Sequence, residues 1–175
     1  MRTRWALAGL AAAQILVLVL WAGAHEWSLR TGQTATLETE PLDPRDILRG
    51  DFITLRYPIQ RVPIDRFEPP PAALPVEGAR VYVELRPEAG FHRLARASLA
   101  PLTPAPGNLL IRGRARWSGG QPGPAKIIRV EYGIEKFFVP EGKGNLSGKI
   151  VVTVSLASNG HPYLKSLTVD GRPFP

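Results

Sequence analysis

The sequence predicts an all-β fold: a single antiparallel sandwich or barrel-like domain preceded by one N-terminal transmembrane helix. Three observations carry this. Short runs with period-two alternation recur from residue 31 to the end. Eighteen prolines and seventeen glycines are scattered between those runs, which favours frequent turns over long helices. Residues 5–24 form one nearly unbroken apolar stretch. A chain of 175 residues accommodates one domain plus such an accessory segment.

The apolar stretch runs from Trp5 to Ala24 and is interrupted only by Gln14. As a helix it spans about 30 Å, the hydrocarbon thickness of a bilayer. Trp5 and Trp21 sit near its ends, where interfacial aromatics belong. Arg2 and Arg4 precede it and His25 and Glu26 follow, which predicts an N-terminus inside and the remaining chain outside. The expected organisation is a cytoplasmic basic flank at 1–4, a membrane anchor at 5–24 and an extracytoplasmic β domain at 31–175. The competing reading is a signal peptide, because Ala22-Gly23-Ala24 has the small-x-small form of a cleavage site. Against it stand the length of the apolar run and the bulk of Trp21. Gln14 and the Gly9-x-x-x-Ala13 spacing suit a helix–helix contact in lipid, although alanine-rich anchors produce such spacings by chance.

Strands are expected at Thr34–Glu40, Ile53–Ile59, Val81–Arg86, Phe91–Leu99 and Leu109–Trp117. Four more are expected at Lys126–Tyr132, Phe137–Val139, Ile150–Leu156 and Tyr163–Val169. The separators carry turn chemistry, among them Ser158-Asn159-Gly160 and Asp170-Gly171. The prolines between residues 58 and 75 read as a surface loop.

Composition, at 44% apolar and 21% charged, is that of an ordinary folded protein. The absence of cysteine removes disulfides, cysteine zinc sites and thiol nucleophiles together. Residues 31–175 carry 19 Lys/Arg against 14 Asp/Glu, a net charge of +5. No basic run exceeds the alternation Arg112, Arg114, Arg116, so a nucleic-acid partner is not expected. The excess suits anionic headgroups or an acidic partner. Those arginines share one strand face, opposite Ile111, Gly113, Ala115 and Trp117. They read as a binding stripe, or as a solvated face with acidic cross-strand neighbours such as Glu84 or Glu131.

The densest cluster of charge is Asp43-Pro44-Arg45-Asp46-Ile47-Leu48-Arg49-Gly50-Asp51. It reads as one capped helical turn. Asp43 is a good N-cap, Pro44 suits the first position, Asp46 and Arg49 complement the dipole, and Gly50 stops the turn. In the strand that follows, Ile53, Leu55 and Tyr57 share one face, with Phe52, Thr54 and Arg56 on the other. Asp51 is expected to bond the preceding turn or to pair with Arg45 or Arg49.

Gly50-Asp51-Phe52-Ile53-Thr54-Leu55-Arg56-Tyr57 resembles the eponymous motif of the GDYXXLXY protein family, with Phe52 replacing its first tyrosine. The flanking DPRDILRG, the segment YGIEKFFVPEGKG at 132–144 and the closing HPYLKSLTVDGRPF at 161–174 are similar to that family too. The resemblance implies a bacterial, single-anchor envelope protein, often encoded beside or fused to a multi-spanning membrane protein. It implies no established activity. It marks Asp43, Pro44, Arg45, Asp46, Arg49, Gly50, Asp51, Leu55 and Tyr57 as motif residues with a structural or binding role. A second candidate contact comprises Tyr132, Gly133, Phe137, Phe138, Pro140 and Glu141. There, two adjacent aromatics on a strand point to opposite faces, which leaves one for a partner or under a covering loop.

Other chemistries find little support. Membrane-anchored signal peptidases also place a β domain after an anchor, but here no serine lies near Asp43-Pro44 to serve as nucleophile. GKGNLSGKI at 142–150 fails the phosphate-loop pattern. His25, His92 and His161 are isolated, and Asp43, Asp46 and Asp51 lack the calcium-loop pattern. No catalytic residue, metal or cofactor is therefore expected. The expected function is that of a membrane-tethered accessory domain outside the cytoplasmic membrane, anchored in lipid through residues 5–24 and working with an integral membrane partner. The alternative is an envelope hydrolase or ligand-binding enzyme built on Asp43, Asp46, Asp51, Arg45 and Arg49.

Overall fold

A computed structural model describes residues 2–40, 52–116, 127–138 and 148–174. Among these residues one helix, α1 (Arg2–Thr31), leads into eleven strands: β1 (Gln33–Glu38), β2 (Phe52–Thr54), β3 (Arg61–Pro63), β4 (Arg80–Glu88), β5 (Phe91–Ser98), β6 (Leu109–Arg116), β7 (Ile127–Glu131), β8 (Lys136–Phe138), β9 (Ile150–Leu156), β10 (Pro162–Val169) and β11 (Arg172–Pro173).

The strands form a five-stranded sheet in the order β3-β7-β6-β4-β5, a four-stranded sheet in the order β1-β9-β10-β11 and the ribbon β2-β8. All of these pairings are antiparallel. The two larger sheets approach closure where their edges β1 and β5 meet. There the Thr36 backbone N–H, on the edge of β1 that faces away from β9, donates to His92 Nδ1 on β5 at 3.1 Å. Between the sheets lies one core that includes Leu37, Val83, Ile111, Val130, Val152 and Leu167. Two hairpins turn on residue pairs with positive φ, Ala89-Gly90 and Asp170-Gly171. This is the backbone that matches the twist of antiparallel strands.

Within the described residues the expected strand bounds hold to within one or two residues; the expected ends Trp117, Lys126 and Val139 lie outside them, β11 was not expected, and two further corrections follow. The expected strand Ile53–Ile59 pairs only over Phe52–Thr54, although Ile53, Leu55 and Tyr57 are buried and Thr54 and Arg56 exposed as alternation requires. Pro58 opens a 3₁₀ turn (Pro58–Gln60), because it lacks the N–H that a ladder needs. The segment 58–67, expected as surface loop, instead contributes β3 and buries Ile59, Val62 and Phe67. Its buried positions are three and five residues apart, so period-two alternation could not have marked them.

α1 runs seven residues beyond the apolar stretch, from His25 to Thr31, and meets β1 through Gly32 alone. Its described apolar side chains are exposed all round, from Leu16 at 58% to Trp5 at 79%. Among the described residues no helix is long and apolar enough to cross a membrane. The side chains of α1 described without interruption run from residue 9 to residue 24. The charged segment Asp43–Asp51, expected as a capped turn, lies outside the described residues, as do Pro140 and Glu141.

Candidate functional site

Of the residues singled out in the sequence, the fold brings two segments together: Thr54–Gln60, which follows β2, and Tyr132–Phe138, which contains β8. The ribbon pairs Phe52 with Phe138, Ile53 with Phe137 and Thr54 with Lys136. Beyond it the Leu55 N–H donates to the Glu135 carbonyl at 2.7 Å. From there the two chains are tied by side chains rather than by a ladder.

Two tyrosines make the tie. The Tyr57 hydroxyl donates to the Ile134 carbonyl at 2.9 Å, and the Tyr132 hydroxyl donates to the Ile59 carbonyl at 2.7 Å. Both rings are buried, and both phenols are pushed well above the ordinary tyrosine value. Burial is the main cause, and the nearby Glu135 carboxylate adds to it. The phenols are therefore fixed as donors at neutral pH.

Glu135 organises the rim. Its carboxylate accepts from the backbone N–H groups of Tyr132 and Gly133 and from Gln60 Nε2 at 3.3 Å. Gln60 in turn accepts from the Tyr57 N–H through Oε1 at 2.9 Å. Gly133 takes a φ of +87°, which a side chain would strain. Over this rim opens a cleft of about 400 Å³ whose charged lining is Glu40, Arg56, Arg61, Arg129 and Glu135. Arg61 holds Glu40 in a two-pronged ion pair, and the Glu40 N–H donates to the Arg56 carbonyl at 2.8 Å. The chain leaving β1 thus enters the cleft just before the Asp43–Asp51 segment.

The two adjacent aromatics divide as alternation predicts. Phe137 packs edge-on against Phe174 with ring centroids 6.0 Å apart, whereas Phe138 is 74% exposed. Leu55 is core. Gln60, Glu40 and Arg61 were not visible as site residues in the sequence. Apart from the local bond between Gln60 and the Tyr57 N–H, the side-chain partners that place them here, Glu135 for Gln60 and Glu40 and Arg61 for each other, stand 75 and 21 positions away, and no local spacing signals such pairs.

Elsewhere on the surface, the arginines of β6 do share the outward face, with Ile111, Gly113 and Ala115 buried behind them. Glu131 pairs with Arg116 as expected, but Glu84 does not serve this stripe. It is buried on β4 beneath residues 103–108, where it accepts from Arg96 Nε, the Ala105 N–H and Asn108 Nδ2. Burial opposes its ionisation, yet the hydrogen bonds from Asn108, Ala105 and Arg96 more than offset that and hold its carboxyl below the usual range. Among the described residues no group of three His, Asp or Glu side chains is placed to hold a metal ion.

The protein family described as GDYXXLXY matches residues 14–167. No curated protein and no solved structure matches the chain.

Proposed function

The chain belongs to the GDYXXLXY protein family, and on that premise we propose that it is a membrane-tethered, extracytoplasmic accessory domain working with an integral membrane partner. The observation that carries this reading is the exposed apolar surface of α1. Leu7, Leu10 and every residue from Ile15 to Leu20 are exposed in the isolated chain. Leaving eight such side chains in water forgoes on the order of 10 kcal/mol. A helix apolar on all sides is stable only inside lipid or against other helices. The apolar sequence Trp5–Ala24 extends past the described stretch of side chains on the N-terminal side and reaches about 30 Å as a helix.

In this reading residues 5–24 are a single-pass anchor of the cytoplasmic membrane. Arg2 and Arg4 remain inside, and the β domain stands on the outer side. The seven helical residues His25–Thr31, about 10 Å, and Gly32 are all that separate the anchor from β1, so the domain is held close to the bilayer surface. The exposed Phe138, on the ribbon next to the tyrosine-tied rim, is the contact offered to a partner. Among the described residues no contact favours the enzymatic alternative, whose Asp43, Arg45, Asp46, Arg49 and Asp51 lie outside them.

The test is extraction of membranes with alkaline carbonate, together with the intact mass of the mature chain. Retention in the pellet at full mass is expected. A mass lacking residues 1–24 would replace the anchor by a cleaved leader. Co-purification of a multi-spanning protein in mild detergent is expected to be lost in Phe138→Ser while the domain stays folded.

A further inference from the structure

The outer face of the five-stranded sheet has a charge arrangement that folding does not require. Arg80 on β4 stands directly opposite Arg114 on β6, and Arg112 lies one repeat along β6 on the same face. Like charges placed opposite each other on neighbouring strands are destabilising. The acidic group nearest to them offsets this only in part. Glu131, opposite Arg114, is engaged by Arg116, which also reaches Glu77 at 3.6 Å. Arg114 donates to the Gly78 carbonyl at 3.3 Å, and among the described residues neither Arg80 nor Arg112 has a carboxylate partner.

Arg80, Arg112 and Arg114 line a hollow of about 240 Å³ together with Glu131 and His161. That is smaller than a typical drug-sized pocket of about 300 Å³ or more. It is nevertheless a concave site with a surplus of positive charge. Guanidinium forks match the oxygens of both carboxylate and phosphate groups, and a phosphate monoester offers three free oxygens to a cluster of three forks where a carboxylate offers two.

The hollow also has a defined place relative to α1. The Arg112 N–H donates to the Gly160 carbonyl at 2.7 Å, which fixes β6 to the turn between β9 and β10. That turn, through Ala157 and Ser158, and Leu110 of β6 border a second hollow together with Trp27 and Thr31 at the end of α1. Arg112 is two residues beyond Leu110, about 7 Å along the strand. The arginines thus begin at the end of the domain from which α1 departs.

We propose that Arg80, Arg112 and Arg114 form a phosphate-ester site. Its natural source is the headgroup of an anionic phospholipid in the membrane that holds α1. The headgroup source rests on the anchor reading; the phosphate chemistry does not.

The experiment uses the full chain in a non-ionic detergent, titrated with glycerol 3-phosphate by calorimetry at constant ionic strength set with chloride. Saturable binding is expected, weakened about tenfold or more in Arg80→Gln/Arg112→Gln, since each charge-assisted contact carries about a factor of ten. An Arg66→Gln/Arg172→Gln control is expected to bind as the parent does. The double variant also relieves repulsion, so its Tm should be unchanged or raised, which separates lost binding from lost folding. Absence of saturable binding, or equal binding by the double variant, overturns the site.

Repeating the titration in nanodiscs distinguishes the sources. With phosphatidylglycerol present the lipid should compete, and glycerol 3-phosphate should bind several-fold more weakly than in nanodiscs of phosphatidylcholine alone. Equal affinity in both would overturn the headgroup source and support a soluble phosphate ester at the same arginines. A chain that carbonate releases from membranes but that still binds glycerol 3-phosphate would overturn the anchor and leave the site standing.

Discussion

Tyr57 and Tyr132 are related by a reciprocal exchange. Each phenol donates to the carbonyl of the residue two positions after the other tyrosine, Tyr57 to Ile134 and Tyr132 to Ile59. The two segments are thereby locked in register after the short ribbon of β2 and β8 has ended. Both acceptors lie in buried residues, so losing either hydroxyl leaves a carbonyl without its donor. Tyr57→Phe and Tyr132→Phe should each lower stability by about 1–3 kcal/mol with little change in ring packing. Urea unfolding followed by circular dichroism measures this, and an unchanged midpoint in both variants would show that the tie is incidental.

The same phenols predict an alkaline limit. Their folded-state values are raised, so the stability they contribute is complete below the unfolded tyrosine value of about 10 and is lost as pH rises through the folded one. The parent should unfold as tyrosinate forms at these two positions, with the absorbance change and the loss of circular dichroism coinciding. The Tyr57→Phe/Tyr132→Phe double variant, already weaker at neutral pH, should lose less additional stability over the same alkaline range.

Much of this fold was legible in the sequence because burial follows period two even where hydrogen bonding stops. Ile53, Leu55 and Tyr57 alternate inward although only the first lies in a strand. Legibility failed where the 3₁₀ turn at Pro58–Gln60 breaks the period, so that Ile59 and Val62 are buried three residues apart, and where the chain supplies a partner from far away. The sequence marks Tyr57 and Tyr132 as motif residues through family resemblance, but nothing in their spacing reveals that they address each other across 75 positions. Glu84 misleads for a related reason. It looks like a surface acid facing arginines on β6, yet the segment after β5 folds over it and turns it into a buried acceptor.

Gly113 tests the packing behind the arginine stripe. It sits on the inward face of β6, and a Cβ there would come within 2.7 Å of the Glu131 carbonyl oxygen and 2.9 Å of the Tyr132 ring. The strand cannot shift freely, because its neighbours β4 and β7 are both paired to it. Gly113→Ala should therefore destabilise by about 1–3 kcal/mol, as overpacking does. A thermal melt at or above the parent's would show that β7 yields without cost.

Glu84 predicts how the domain behaves in acid. Its carboxyl is held below the usual range, so its contribution is complete above the unfolded value of about 4.3 and is lost as pH falls through the lower folded value. Protonation removes acceptor capacity from a buried site where Asn108, Ala105 and Arg96 all donate. Glu84→Ala removes it at every pH and leaves the Ala105 N–H and the Asn108 amide without their acceptor, a loss of about 1–3 kcal/mol. Glu84→Gln keeps an acceptor for both while losing the charge, so it should fall between the parent and Glu84→Ala at neutral pH. The gap between parent and Glu84→Gln should then close as pH drops below the unfolded carboxylate value. Chemical denaturation of the three proteins at neutral and acidic pH reads this directly. A gap that stays constant with pH would mean that the charge on Glu84 contributes nothing to the fold.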